Sequence, residues 1–344
     1  MKRLRSILSI ALSASLVAGA LAMTPASAAM TLRAGHLQPP TSDQGIAIDF
    51  FAKRVNELTN GEIEVQVFPS AELGKSIPVQ LENLVSGAQD FFIETMDYFI
   101  ETMDYFKVWD DRFGVINTPF VFRDRHDHFR KFLASDLFND IVATVEERGV
   151  VFLGKRKYNW QRAGDRGILS RTPIFHPDDL QGYKMRMFQA EMPIKSWGAF
   201  GANIQVIPWA DVYTAMATGV VDSLTTVVSA SYDNKHIEVL KYFTNVREYF
   251  QIIAPMVSKR TWDRLDEAQR AAIEQAAFEA GELYTSTSRK QTVEKRRKAQ
   301  WELGLNIIHP ALGPWHDHMA KTHAEFEEQG LLPKGLIAKV KAIE

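Results

Sequence analysis

The chain has 344 residues, 40 Lys and Arg against 42 Asp and Glu for a formal net charge of −2, 46 % hydrophobic residues, and no cysteine. The charge balance excludes the strongly basic surface of a nucleic-acid binder, and the missing thiols exclude disulfides, thiolate metal sites, a cysteine nucleophile and a lipid-modified cysteine. The fold must stand on its core, and the length suffices for two domains with separate cores.

Lys2, Arg3 and Arg5 precede an apolar run from Ile7 to Ala22 and the small residues Ala26-Ser27-Ala28. This is the pattern of a secretory signal peptide, residues 1–28, cleaved after Ala28. The remaining chain carries 37 basic against 42 acidic residues, a net charge of −5. No later segment approaches the roughly 18 consecutive apolar residues of a membrane span, so the expectation is an exported soluble protein.

Met30–His36 alternates as a first strand and stops at Pro39-Pro40. A helix capped by Ser42 or Asp43 follows, with Ile46, Ile48, Phe50, Phe51, Val55 and Leu58 at helical spacing before Asn60-Gly61 ends it. Glu62–Phe68 alternates as a second strand, and this strand–helix–strand opening predicts a parallel α/β sheet. A helix over 76–86, a strand around Asp90, a pair of helices across 108–148 and a strand at Val150–Gly154 complete the first unit. The pattern then restarts with a strand at Tyr183–Phe188, a helix over Glu191–Gly198, a strand at Asn203–Val206 and a helix over Trp209–Thr218. From Glu267 to about Leu303 there is no proline, and Ile273, Ala276, Ala277, Ala280, Leu283 and Tyr284 form an apolar stripe. A helix of that length reaches about 55 Å and bridges both units.

The heptapeptide Phe92–Tyr98 recurs as Phe99–Tyr105, too short a run for a coiled coil and best read as a local duplication. Two His-Asp-His triplets, at 126–128 and 316–318, fall in expected helices, where residues two apart point about 200° apart and cannot close on one ion. Gly198-Ala-Phe-Gly201 lacks the context of a dinucleotide loop, no phosphate loop or nucleophile elbow occurs, and the basic run Lys295–Lys298 reads as a solvated helix face. Neither a catalytic residue nor a cofactor or metal site is expected.

The segments Gly164-Asp-Arg166, Pro173-Ile174, His176-Pro-Asp-Asp-Leu180-Gln-Gly182-Tyr-Lys-Met-Arg186, Ile207-Pro-Trp209-Ala-Asp-Val-Tyr213 and Gly219-Val-Val-Asp222 occur in that order. Together with His36, Thr59–Ile63, Phe68-Pro69, Glu72–Gly74 and Thr118–Phe120, the set resembles the substrate-binding subunits of tripartite ATP-independent periplasmic (TRAP) transporters, DctP type, over essentially the whole mature chain. The resemblance implies an α/β, two-domain periplasmic-binding-protein-like fold, with a long helix spanning both domains and a ligand cleft between them that closes by hinge motion. It places domain I at 30–163 plus about 252–290, and domain II at about 164–251 plus 291–344. It implies a small organic anion as ligand, the small and large membrane-embedded permease subunits as partners, a periplasmic location, a monomer, and no catalysis. An exported hydrolase and a subunit presenting ligand to a sensor are the alternatives.

The family's carboxylate-gripping arginine matches Arg186, and a guanidinium suits that task because it offers two parallel N–H donors and is weakly hydrated. Strand alternation sets Lys184, Arg186 and Phe188 on one face and Tyr183, Met185 and Met187 on the other. Arg166 either contacts ligand or orders Arg186, with Arg162 and Arg171 close in sequence. Trp209 and Tyr213, one turn apart, form an aromatic wall, unless Trp209 packs as a staple at the helix entry. Many relatives carry Glu-Asn where this chain has Thr225-Thr226, which favours a smaller or more apolar carboxylate. His36, Phe92 and Glu94 are the candidates from the first domain, Glu94 being interchangeable with Glu101 of the repeated heptapeptide.

Overall fold

The computed structural model describes residues 29–95, 110–154 and 158–344. The leader, the second heptapeptide copy and Glu101 lie outside the described residues.

Eleven strands among the described residues build two sheets. The first contains β1 (Met30–Gly35), β2 (Ile63–Phe68), β3 (Phe91–Thr95), β4 (Val150–Phe152) and β10 (Ile253–Ser258), in the order β2-β1-β3-β10-β4. The second contains β5 (Gly167–Ser170), β6 (Lys184–Met187), β7 (Asn203–Val206), β8 (Ser223–Thr226), β9 (Tyr242–Thr244) and β11 (Asn306–Ile308), in the order β11-β9-β5-β8-β6-β7. β1 pairs in parallel with β2 and β3, as the opening pattern predicts, whereas β10 runs antiparallel to β3 and β4. The sheet is mixed because the chain returns from the second sheet to β10 without a helical crossover to restore its direction.

The helices explain themselves locally. Ser42 caps the helix Asp43–Leu58, its hydroxyl accepting from the Gly45 amide at 3.0 Å. The expected helix pair across 108–148 is instead a 3-10 segment Asp111–Asn117, a π turn Arg125–Phe129, and the helices Arg130–Leu133 and Asp136–Glu146. The Thr118-Pro119 step, followed by Phe120 at positive φ, interrupts the run. Trp209–Thr218 likewise divides into a 3-10 turn at Trp209–Asp211 and an α-helix at Val212–Ala217.

The apolar packing does not split into one core per domain. It splits by the two faces of the first sheet, because side chains alternate along its strands. Phe91, Ile93, Ile253 and Val257 face the helix Asp43–Leu58 and the long helix, packing with Phe51, Val55, Ile273, Ala276, Ala277 and Ala280. Phe92, Ala254 and Met256 face the other way, into a cluster that continues through Phe113, Phe122, Phe129 and Phe250 to the second sheet.

The long helix runs Glu267–Trp301, 35 residues, opened by a capping box of Asp266 with Gln269 and extending about 52 Å. Its first half packs on the helix Asp43–Leu58 and its second on the helix Val228–Asp233, so it spans both sheets. Two connecting strands lie beside each other on it: Gln161 bridges Ile252, the Gln161 amide donates to Thr285 Oγ1 at 2.8 Å, and Trp160 Nε1 donates to the Ala277 carbonyl at 2.8 Å.

Gly281 permits this close approach. A Cβ there would stand 2.5 Å from both Asn159 Oδ1 and Trp160 Cδ1. Gly281→Ala should therefore destabilise the protein by about 1–2 kcal/mol despite the roughly 1 kcal/mol of helix propensity that alanine gains. The urea unfolding midpoint reads the outcome, and a stabilised variant would contradict this packing.

Candidate functional site

A cavity of about 280 Å³ lies between the sheets, lined from the first by Leu37, Ser76, Ile77 and Pro78 and from the second by Arg186, Phe188, Gln189, Val206, Ile207, Pro208 and Trp209. Leu37 follows the carboxyl end of β1, and the second group clusters at and beyond the carboxyl ends of the parallel strands β6 and β7. Open α/β sheets bind ligands at that edge, where the strand ends diverge into loops. Ser76–Pro78 is the N-terminal end of the helix Ile77–Ser86, whose macrodipole places partial positive charge there.

Arg186 is 2 % exposed and is the one charged side chain among the described residues that line the cavity. Its Nε donates to the Ile207 carbonyl at 2.8 Å, and its guanidinium packs over the rings of Phe188 (5.8 Å) and Trp209 (5.6 Å). Met185 and Met187 are fully buried and do not line the cavity, in line with the predicted alternation.

Arg166 also lies over Phe188, at 5.6 Å, and over Tyr249 at 4.9 Å. Its Nε meets Glu248 Oε2 at 2.7 Å and its Nη2 donates to Thr225 Oγ1 at 2.8 Å, while Glu248 Oε1 accepts from Trp197 Nε1 at 2.6 Å. Burial pushes the Glu248 carboxyl upward, opposed by Arg166 and by the Trp197 and Thr225 bonds. Both ions are buried, so this pair holds Arg166 in the wall behind the cavity. Arg171 pairs at the surface with Asp222, 2.8 Å away.

The remaining candidates separate. Trp209 lines the cavity, whereas Tyr213 stands outside it, 39 % exposed, with its hydroxyl donating to Glu238 Oε2 at 3.2 Å. Thr226 is buried and shares hydrogen bonds with the Val227 carbonyl and Ser231. Glu94 sits behind Leu37, its Oε2 accepting from the Leu37 amide and from Gln44 Nε2, both at 3.3 Å. Phe92 belongs to the core. His36 is fully buried, and neither ring nitrogen has a hydrogen-bond partner among the described residues.

Sequence reasoning missed the wall Ser76–Pro78, Gln189 and His236. The Ser-Ile-Pro helix start at 76–78 was a readable signal, since proline in the first turn marks a helix N-terminus. His236 is buried edge-on to Trp209, ring centroids 4.9 Å apart, with Nδ1 unpartnered among the described residues. Arg162 also emerges as an interior residue: its Nη2 donates to Gln44 Oε1 at 2.7 Å and its Nε to Tyr284 OH at 3.1 Å. Burial opposes that charge, but Tyr284, Asp43 and Glu94 outweigh it and hold the Arg162 pKa above its usual value.

His128 and His318 of the two histidine triplets serve packing. His128 Nε2 bonds the Val340 carbonyl at 2.8 Å, and His318 stacks on Phe200 with its Nε2 2.8 Å from the Ala199 carbonyl. Nor is the basic run wholly solvated: Lys295 turns inward to Asp233 at 2.6 Å, both side chains nearly buried.

Two mixed sheets joined by adjacent crossing strands and a common helix, around a cavity with one charged side chain among the described lining residues, give the chain the architecture of a two-lobed binding protein. The comparisons agree. Residues 34–329 match the model of the DctP family, bacterial extracellular solute-binding protein family 7, and the chain belongs to that family. It is 27 % identical over 342 residues to the C4-dicarboxylate-binding periplasmic protein DctP of Rhodobacter capsulatus, covering 98 % of each. It is 28 % identical over 297 residues to the 2,3-diketo-L-gulonate-binding periplasmic protein YiaO of Escherichia coli, covering 85 % of each. A TRAP periplasmic solute-binding protein from Sulfurospirillum deleyianum, solved with bound succinate, superposes with a TM-score of 0.80 at 27 % identity, over 91 % of this chain and 99 % of that one. The family's members are transport proteins and not enzymes.

Burial lowers the pKa of His36 to about 4, that of His323 to about 4 and that of His236 to about 3, the last also through the charge of Arg186. Below the unfolded value near 6.5 the unfolded chain binds protons that the folded chain refuses, so stability is full above that pH and falls as pH drops toward 4. Each such histidine contributes a slope of about 1.4 kcal/mol per pH unit in that window. The urea midpoint should decline from pH 7 to pH 4, and His236→Gln should flatten the decline; an unaltered profile would refute neutral burial of this ring.

Proposed function

We propose that this chain captures a small organic carboxylate between two lobes and delivers it to the small and large membrane subunits of a TRAP permease, working in the periplasm as a monomer. The observation that carries the reading is Arg186, 2 % exposed at the cavity wall across from the helix start at Ser76–Pro78. A carboxylate entering there meets a guanidinium with fixed donors on one side and the positive end of a helix dipole on the other. Arg166 orders this wall through Phe188, and Trp209, whose Nε1 has no hydrogen-bond partner among the described residues, adds a donor for a second polar group.

The other walls are mostly apolar, contributed by Leu37, Ile77, Pro78, Phe188, Val206, Ile207, Pro208 and Trp209. A compact acid with a largely apolar body suits them better than a sugar acid carrying many hydroxyls, each of which would be desolvated without a partner. In this reading domain I is 30–163 with about 252–290 and domain II is 164–251 with 291–344. The paired strands around Gln161 and Ile252 act as the hinge, and lobe closure sequesters the ligand.

Arg186→Ala should lower affinity roughly 30- to several-thousand-fold, because loss of one partner of a buried charge pair costs about 2–5 kcal/mol. Arg186→Lys should fall between, since an ammonium is a point donor. Calorimetry with the acid identified by mass spectrometry of the copurifying ligand makes the measurement, and unchanged affinity in the alanine variant rejects the clamp. Small-angle scattering should show compaction on adding that acid; identical profiles reject closure.

A further inference from the structure

We propose that the C-terminal part of the long helix is a docking surface for an anionic lipid membrane. Lys290, Val293, Arg297 and Trp301 recur at i, i+3, i+7 and i+11, which places them on one helix face extending roughly 16 Å. Val293 is 71 % and Trp301 84 % exposed, the two most exposed large hydrophobic side chains among the described residues. Ala299, on the opposite face, is fully buried against the protein, so the Lys290–Trp301 stripe faces outward.

The charge on this stripe is net positive: Glu294 is the one acid between Lys290 and Trp301, and it lies near Arg297 as well as Lys298. Glu294 and Lys298 answer each other at 2.8 Å, and Lys295 points inward to Asp233. Lys290 and Arg297 are exposed and take part in none of the ion pairs among the described residues, nor does Arg289 on the flank. Glu302, one residue past Trp301, is the neighbouring acid. Arg296, on the same flank as Arg289, shares a small recess with Asp165, which pairs instead with Asn245 and Arg247.

An excess of basic side chains around an exposed indole matches an anionic bilayer surface in two respects. The cations are drawn to lipid phosphates, and the indole settles at the headgroup level with its ring in the apolar layer and its N–H solvated. A second copy of the chain is the weaker occupant, because an isologous contact through this stripe brings its net positive charge against itself. Docking here would hold the protein at the bilayer while the cavity, built from other elements, continues to exchange ligand.

The test is co-sedimentation of the protein with vesicles of mixed phosphatidylglycerol and phosphatidylcholine, against pure phosphatidylcholine, at low and high salt. Binding is expected to the anionic vesicles alone and to weaken with salt. Lys290→Gln and Arg297→Gln should each lower partitioning roughly fivefold, and Trp301→Ala several-fold. All three should keep the parent's ligand affinity, so this inference fails or stands apart from the carboxylate clamp. Equal binding to neutral vesicles, or variants that partition like the parent, overturns it. Binding only to vesicles that contain the permease subunits identifies an acidic protein partner and equally overturns it.

Discussion

Two guanidiniums share the ring of Phe188, and the difference in how each is held organises the site. Arg166 is neutralised by Glu248 inside the wall, a pair whose removal on one side leaves an uncompensated buried charge at a cost of about 3–5 kcal/mol. Arg186 is anchored through Nε by a peptide carbonyl, which fixes its direction at the cavity wall. The first arginine therefore serves the rigidity of the wall, and the second lines the small cavity itself. Trp197 and Thr225 complete the bonding around the Arg166–Glu248 pair, so the wall is a connected polar network enclosed by aromatic rings.

The interior of the opposite lobe follows the same logic with different parts. Gln44 receives Arg162 on its carbonyl and passes its amide to Glu94 and to the Ile93 carbonyl. Glu94 in turn fixes the backbone of Leu37, which forms the cavity wall. Charged groups on this side thus act on the cavity through the main chain, while the surface they present to it is apolar.

What the sequence disclosed and what it hid divide by the range of the interaction. Strand alternation, helix caps and proline breaks are local, and they placed six of the eleven described strands, the long helix and the face of Arg186. The Arg166–Glu248 bond joins residues 82 apart, and nothing in the residues flanking Glu248 marks it as a partner. The same holds for Tyr213: its spacing from Trp209 implies a shared wall, but the 3-10 turn at Trp209–Asp211 alters the helical phase and leaves Tyr213 against Glu238. The cores escaped for a related reason. Periodicity reveals that an element has an apolar face but not that the two faces of one sheet belong to different clusters.

The contact between the lobes bears on how a ligand acts. Asn234 Nδ2 donates to Gln38 Oε1 at 3.0 Å, joining the helix Val228–Asp233 region of the second lobe to the residue after Leu37 in the first. A hydrogen bond of this kind contributes only about 0.5–1.5 kcal/mol net, too little by itself to hold two lobes together against the freedom they regain on opening. A ligand that touches both Arg186 and the Ser76–Pro78 end gains its contacts only when the lobes are together, and its differential affinity is then what shifts the population. The crossing strands at Gln161 and Ile252 are bonded to each other and to the long helix through Thr285 and Ala277, so they are held as one unit. In the proposed closing motion, affinity and closure are consequently the same free energy measured at two places, the cavity wall and the crossing strands.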